Sequence, residues 1–398
     1  MMRCLVHVAS AALLAGALFG CAAPAPYQRP SIAVPAQWQS QGDAASAPMP
    51  VAIVWDRWWQ AFGSDELNRL AGAAGADNHE LAAAGHRVAQ ARSLLAATRA
   101  NLAPRVDVRA DSNRTHRSGS GGGSGIDAMH EIGVAASFDP DLNGATASAS
   151  AAAFGRVRQR EYAREALGAT LLVELCEQYF RALNASDRLA IARANIANAE
   201  SLLTLLVSRQ QAGAQSSLEV VRQQGLLASL RAALPAFEQQ RQSALAALAV
   251  LTGQPPQGFS VRATTLAALR LPSLAASLPV ELLERHPDVR QAETELTVAH
   301  ADVNAARAAW QPQLRLGARA GLESATLAGL FNAATVLGSV GANLLAPLFD
   351  GDRIRSQIGA ASSRQDEVTS LYRQAVLAAL REVEDRQSAL RALAGTVV

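Results

Sequence analysis

The sequence predicts a mainly α chain: long coiled-coil helices build an α-helical barrel, and four strands per chain join a shared, trimeric, twelve-stranded membrane β-barrel. Three observations carry that fold class. The chain is internally duplicated, each copy holds one pair of period-two strands, and the helices after the strands outrun globular lengths with heptad spacing.

The 398 residues are 49% hydrophobic and 18% charged, enough to bury a core and unlike a disordered chain. Lys is absent, so the 36 basic residues are all Arg, and 34 acids bring the formal net charge to +2. That balance gives no footing for nucleic-acid binding. Residues 1–20 read as a signal peptide, with Arg3 ahead of an apolar run from Leu5 to Phe19 too short to span a bilayer. The run ends in Leu18-Phe19-Gly20-Cys21, similar to a lipobox except that Phe19 stands where a small or branched residue is usual. Cys21 is therefore expected to be the lipidated N-terminus. Ordinary cleavage near Cys21-Ala22-Ala23 is the alternative, and it leaves a mature Cys without a purpose. Ala22, in place of Asp, favours outer-membrane sorting. After Cys21 only Cys176 remains, so no internal disulfide is available. No run of about 18 apolar residues follows, so membrane insertion must use strands. Residues 21–54, rich in Pro, Ala, Gln and Ser, are expected as an extended tether.

The first copy covers residues 55–260. Residues 65–102 are rich in Ala, Leu, Arg and Glu and stop just before Pro104, which predicts a helix. In the hairpin 105–139, Val106, Val108 and Ala110 alternate with Arg105, Asp107 and Arg109, and Ile132, Val134, Ala136 and Phe138 alternate with Glu131, Gly133, Ala135 and Ser137. Ser118 to Gly125 lies between these strands, so a mobile hairpin loop is expected there rather than an interdomain linker. A helical hairpin follows over 145–251. Leu172, Leu175, Tyr179, Ala182, Leu189, Ile196, Leu203 and Val207 hold a three-four spacing interrupted at Ser186, Arg193 and Glu200. Leu227, Leu230, Leu234, Phe237, Ala244, Leu248 and Leu251 hold it with only Arg241 polar. A helix from Ala145 to Ser208 is about 95 Å long, so it must span something. Gln211-Ala212-Gly213 breaks the pattern and Ser217-Leu218-Glu219 restarts it, which makes this turn the hairpin's tip.

Residues 261–278 are expected as a linker and 279–398 as the second copy. Arg99 to Val108 aligns with Arg307 to Leu316 at an offset of about 208 residues, and Pro140-Asp141-Leu142-Asn143-Gly144 with Pro347-Leu348-Phe349-Asp350-Gly351 at about 207. Helix 279–310 precedes a hairpin over 313–346, where Leu314, Leu316, Ala318 and Ala320 share one strand face and Val336, Gly338, Val340, Ala342 and Leu344 the next. Ile354, Ile358, Ala361, Val368, Tyr372, Ala375 and Ala379 then carry a heptad with Gln365 polar. The offset puts a second tip near about 420 and a helix end near about 458. Both lie past Val398, so the second helical hairpin is expected to lack its tip and return helix, and the chain as written to be functionally impaired.

Four strands alone in lipid leave open edges whose unpaired backbone groups cost several kcal/mol apiece. The barrel must then be shared: two chains give eight strands filled by side chains, three give twelve and a lumen.

The residues resemble the TolC-like outer-membrane factors of the NodT lipoprotein branch over essentially all of Trp55 to Leu393. The matching stretches are Trp58-Trp59 with Phe62-Gly63, Asn78 to Leu81, Arg87 to Arg92, Arg209 to Gly213 with Leu218-Glu219-Val220, Leu248 to Pro256, Pro347 to Gly351 and Ala379 to Asp385. Pro279 to Glu293 is the most specific, with His286 where that family usually has Arg. Phe138-Asp139-Pro140-Asp141-Leu142-Asn143-Gly144 departs from the family's Trp-Glu-Leu-Asp-Leu-Phe-Gly run. The resemblance implies a homotrimer in the outer membrane reaching into the periplasm. It also implies a periplasmic adaptor, an inner-membrane pump of the RND type, and passive export of small molecules.

The sequence holds no His-Glu-x-x-His, no Gly-x-Ser-x-Gly, no Walker loop and no paired Cys, so neither a catalytic centre, a cofactor nor a metal is expected. His116 and His130 flank the Gly-rich segment, but isolated loop histidines are usually solvated. His79 and His86 share a helix face, where packing or solvation is the ordinary reading. Arg209, Ala212 and Gly213 are the candidate adaptor-contacting tip, although Arg near a helix C-terminus is also favoured by the dipole. The competing function is a structural or adhesive coiled-coil lipoprotein, which needs heptads but no duplicated strand pairs.

Overall fold

The computed structural model describes residues 26–35, 38, 55–118, 124–272, 285–332 and 334–394. The signal peptide, Cys21, most of the tether, the Gly-rich segment 119–123 and Pro279 to Glu284 lie outside the described residues.

Helix α1 runs Asp65–Asp77 and α2 His79–Ala100, so the single helix expected over 65–102 is two. The break is Asn78, whose ψ of 121° leaves helical space. Its side-chain oxygen accepts from the Leu81 N–H, and its amide donates to the Leu251 carbonyl, both at 3.0 Å. One side chain thereby starts α2 and satisfies an orphan carbonyl at the end of a distant helix. Local composition cannot register a partner 173 residues away.

Strands β1 (Arg105–Ser118), β2 (Ser124–Phe138), β3 (Gln313–Ser324) and β4 (Thr335–Leu345) form one antiparallel sheet in the order β1-β2-β3-β4. Helices α3 (Ala145–Gln211) and α4 (Ser217–Leu251) follow β2. Helix α5 (Pro287–Ala308) precedes β3, α6 (Gly329–Asn332) lies between β3 and β4, and α7 (Arg353–Ala394) follows β4. At 67 residues α3 measures about 100 Å. Among the described residues no helix is long and apolar enough to cross a membrane.

The contacts divide the chain into two units. The first contains the sheet, α5, the adjoining parts of α2, α3 and α7, and the described residues up to Val34. Its helices repeat the order of the strands they continue. Helix α2 packs on α3 through Leu95, Ala153 and Val157; α3 on α5 through Ala152, Val298 and Ala301; α5 on α7 through Val289, Leu296, Val368, Tyr372 and Val376. Each seam adds an ion pair at 2.7 Å: Arg92–Glu161, Arg156–Asp302 and Arg364–Glu295. Such solvated pairs steer which helices meet more than they add stability.

The tether is not free along its described part. Tyr27, Ile32 and Val34 pack on the α5–α7 core, and Arg29 donates from Nε to the Tyr372 hydroxyl at 3.0 Å while pairing with Glu293 at 3.1 Å. Averaging composition over 21–54 hid these apolar side chains among Pro and Ala.

The second unit takes α1, the rest of α2 and α3, α4, and the segment after it. Leu67, Leu70, Leu171, Leu175, Tyr179, Leu183 and Leu248 form its core, with Trp58, Trp59, Phe62 and Phe180 against it. The segment expected as a linker contributes to this core: Val261, Ala263, Leu266 and Leu269 pack on it. Glu66 takes the Arg262 and Ala263 N–H groups, and Asp187 that of Leu266. Along the hairpin Ile196, Ala199 and Leu227 join α3 to α4. Two of the three polar interruptions of the α3 heptad pair across it, Glu200 with Arg231 at 2.6 Å and Arg193 with Glu238 at 4.0 Å, whereas Ser186 bonds back to the Ala182 carbonyl at 2.9 Å.

Candidate channel wall and helical tip

Direct pairing in an antiparallel ladder puts partners on one face. The registers therefore sort the sheet's side chains into two sets. One face carries Val106, Val108, Ile132, Val134, Val336, Val340 and Leu344, all exposed to solvent in the single chain, Val340 at 90%. The other carries Arg105, Asp107, Arg109, Asp111, Glu131, Arg315, Arg319 and Glu323. A groove on this polar face is lined by Asp107, Arg109, Asp111, Glu131, Arg315 and Arg319.

The polar face is layered. Asp111, Glu131 and Glu323 stand side by side across β1, β2 and β3. The next row is Arg109, Gly133, Gly321 and Leu337, and the one after it Asp107, Ala135, Arg319 and Ser339. Arg105 binds Asp107 at 2.9 Å, and Arg319 donates from Nε to the Ser339 hydroxyl at 3.2 Å. Gly133 and Gly321 face each other so closely that a Cβ on either would come within 2.6 Å of a carbonyl oxygen on the opposite strand. Only glycine fits there, and the floor beside Arg109 is bare backbone. These rows were missed in the sequence, although the polar members of each alternation were their signal.

Among the described residues no strand pairs with the outer edge of β1 or of β4. Edges of 14 and 11 residues with apolar flanks are aggregation-prone unless another strand covers them.

At the helical tip, α3 ends in a Schellman turn. Gly213 has φ of 75°, the Ala214 N–H reaches the Arg209 carbonyl, and the Gly213 N–H reaches that of Gln210, both at 2.9 Å. Ser216 then caps α4 through the Leu218 N–H at 3.1 Å. The backbone at the tip is thus self-satisfied, and the side chains of Arg209, Ala212 and neighbouring Gln211 are exposed. Cys21 lies outside the described residues.

His116 and His130 are not partners across the hairpin. His116 is paired with Ile126, whereas His130 is opposite Ser112 and bonded to its hydroxyl at 3.0 Å. Among the described residues no group of three or more His, Cys, Asp or Glu is placed to hold a metal. Cys176 is buried, and burial pushes its thiol up to about 12, so it stays protonated and unreactive.

A sheet apolar on one face and polar on the other, open at both edges and continued by helices of up to 67 residues, defines a channel subunit of the membrane-barrel class. The family model of the outer membrane efflux proteins matches residues 70–254 and 278–397, and the chain belongs to that family. It is 36% identical over 383 residues to the pyoverdine export outer membrane protein OpmQ of Pseudomonas aeruginosa, covering 94% of this chain and 79% of that one. It is 29% identical over 377 residues to the toluene efflux pump outer membrane protein TtgI of Pseudomonas putida, covering 92% and 79%. The crystal structure of a membrane protein from Pseudomonas aeruginosa superposes with a TM-score of 0.82 at 29% identity, over 94% of this chain and 87% of that one.

Proposed function

We propose that the chain is the outer-membrane channel subunit of a tripartite, RND-type efflux pump, exporting small molecules passively from the periplasm. Three copies close a twelve-stranded barrel, with the valine face toward lipid and the Arg/Asp/Glu face toward the lumen. The helices extend that lumen into the periplasm toward an adaptor and an inner-membrane pump, with Arg209, Ala212 and Gly213 as the adaptor-facing tip and Cys21 carrying the lipid. In this reading the two copies span 55–260 and 279–398, and the protein performs no chemistry of its own.

The two-faced, open-edged sheet supports this reading best. A monomer in water exposes its apolar face and two unpaired edges, and a monomer in lipid buries its charges. Both liabilities vanish in a closed ring. The relatives' names point to cargoes as unlike as pyoverdine and toluene, which fits a conduit whose wall does not select one compound.

The test is to purify the chain with Cys21→Ser, which removes the lipid, and to record its oligomeric state and its conductance in planar bilayers. A detergent-dependent trimer with discrete conductance steps is expected. A monomer that stays soluble without detergent overturns the channel and leaves the coiled-coil lipoprotein.

A further inference from the structure

Two of the three most exposed large apolar side chains described in the first unit sit in one short turn. Leu348 and Phe349, between β4 and α7, are 94% and 90% exposed. Such side chains next to each other, on a turn whose backbone is otherwise ordered, call for a covering surface.

The position of the turn says what covers it. Strand β4 is one edge of the sheet and α7 the matching edge of the helix row. At the opposite edge stand β1 and α2, and there Leu94 and Leu102, on α2 and in the turn before β1, are 61% and 41% exposed. In a ring of identical copies the contact is heterologous, so the β4 edge of one copy meets the β1 edge of the next. Rotational symmetry holds the strand ends of all copies at one height. The turn leaving β4 then lies beside the turn entering β1 of the neighbour.

We infer that in the assembled protein Leu348 and Phe349 of one copy pack against Leu94 and Leu102 of the next, forming an apolar lock where barrel meets helices. The inference rests on the shared-barrel reading and adds the residues that seal it.

Cysteine cross-linking of the full-length chain in its membrane tests the lock. The double variant Leu102→Cys/Phe349→Cys, oxidised with copper phenanthroline, is expected to form disulfide-linked multimers at least tenfold above either single variant. A second pair, Leu94→Cys/Leu348→Cys, serves if the first fails to assemble. If native mass spectrometry shows a trimer while neither pair cross-links above its single variants, the lock is overturned and the shared barrel stands. If the unsubstituted protein is monomeric in detergent, the shared barrel itself falls. Labelling of Phe349→Cys in the trimer by a bilayer-confined maleimide, at the rate found for Val340→Cys, assigns the turn to lipid and also overturns the lock.

Discussion

The turn from β2 to α3 and the turn from β4 to α7 occupy equivalent places in the two copies and share a backbone device, yet their side chains do different work. Gly144 and Gly351 both have φ of 66°. In the first turn Asp141 takes the Thr146 and Ala147 N–H groups at 2.8 and 2.7 Å. Asn143 accepts from Ala145 and donates to the Ala308 carbonyl at 3.2 Å, tying the turn to the neighbouring helix. In the second turn Asp350 takes one N–H, that of Ile354 at 2.9 Å, while Leu348 and Phe349 stand bare. The first turn follows an interior strand and has a neighbour on each side. The second follows an edge strand, and among the described residues nothing covers Leu348 or Phe349. The left-handed glycine is common to both turns, and position in the sheet decided what the side chains had to do.

If the backbone device is the shared part, breaking it costs the same in both copies. A Cβ at Gly144 or Gly351 meets nothing within 4 Å, so only the left-handed φ penalises a substitution. Gly144→Val and Gly351→Val are each expected to lose about 2 kcal/mol in thermal unfolding of the detergent-solubilised protein. A neutral Gly351→Val would show that the turns are not equivalent. Removing the caps separates them. Asp141→Ala, which frees two N–H groups, should cost about 1–2 kcal/mol, and Asp350→Ala only about 1 kcal/mol. Asn143→Ala should cost about 1 kcal/mol by freeing the Ala308 carbonyl. Phe349→Ser, by contrast, should leave protomer unfolding within about 0.5 kcal/mol of the parent and lower the trimer fraction on native gels. Equal protomer losses from Asn143→Ala and Phe349→Ser would erase the distinction between the turns.

What was legible in the sequence depended on whether a residue's role is periodic. Val106 and Val108 against Arg105 and Asp107, or Leu227, Leu230 and Leu234 on one stripe, declare strand and helix because the period alone sets which face is buried. The same heptad carried α4 straight through Pro235, where local propensity argues for a stop. Roles played by one residue toward a distant partner stayed hidden. Asn78 divides a helix because of the Leu251 carbonyl, and Leu266 is ordered because Asp187 takes its N–H. The polar interruptions Arg193 and Glu200 read as flaws in a seam until Glu238 and Arg231 appear opposite them. The candidate site divided in the same way: the two faces of the sheet follow from alternation, whereas the carboxylate row of Asp111, Glu131 and Glu323 exists only through the strand registers.

The two helix pairs also differ in how they are braced, and here the expected effect is small and opposite in sign. The α2–α3 seam of the first unit stands on Leu95, Ala153 and Val157, whereas α5–α7 has the segment from Tyr27 to Val34 laid along it. Tyr27 contributes ring area and an edge contact with His300, its centroid 6.1 Å away. Its hydroxyl is buried without a hydrogen-bond partner among the described residues, and burial, with Glu293 nearby, pushes the phenol up to about 12. Tyr27→Phe removes an unpaid desolvation and keeps the ring, so it should stabilise the fold by up to about 1 kcal/mol. The sign extends to pH. The folded phenol titrates above its unfolded value of 10.0, so its share of stability is whole below pH 10 and is lost as pH rises toward 12. The alkaline fall in melting temperature should therefore be shallower in Tyr27→Phe than in the parent. A destabilised variant with an unchanged alkaline slope would mean that the hydroxyl has a partner, and that the strap is anchored at Tyr27 as firmly as at Arg29.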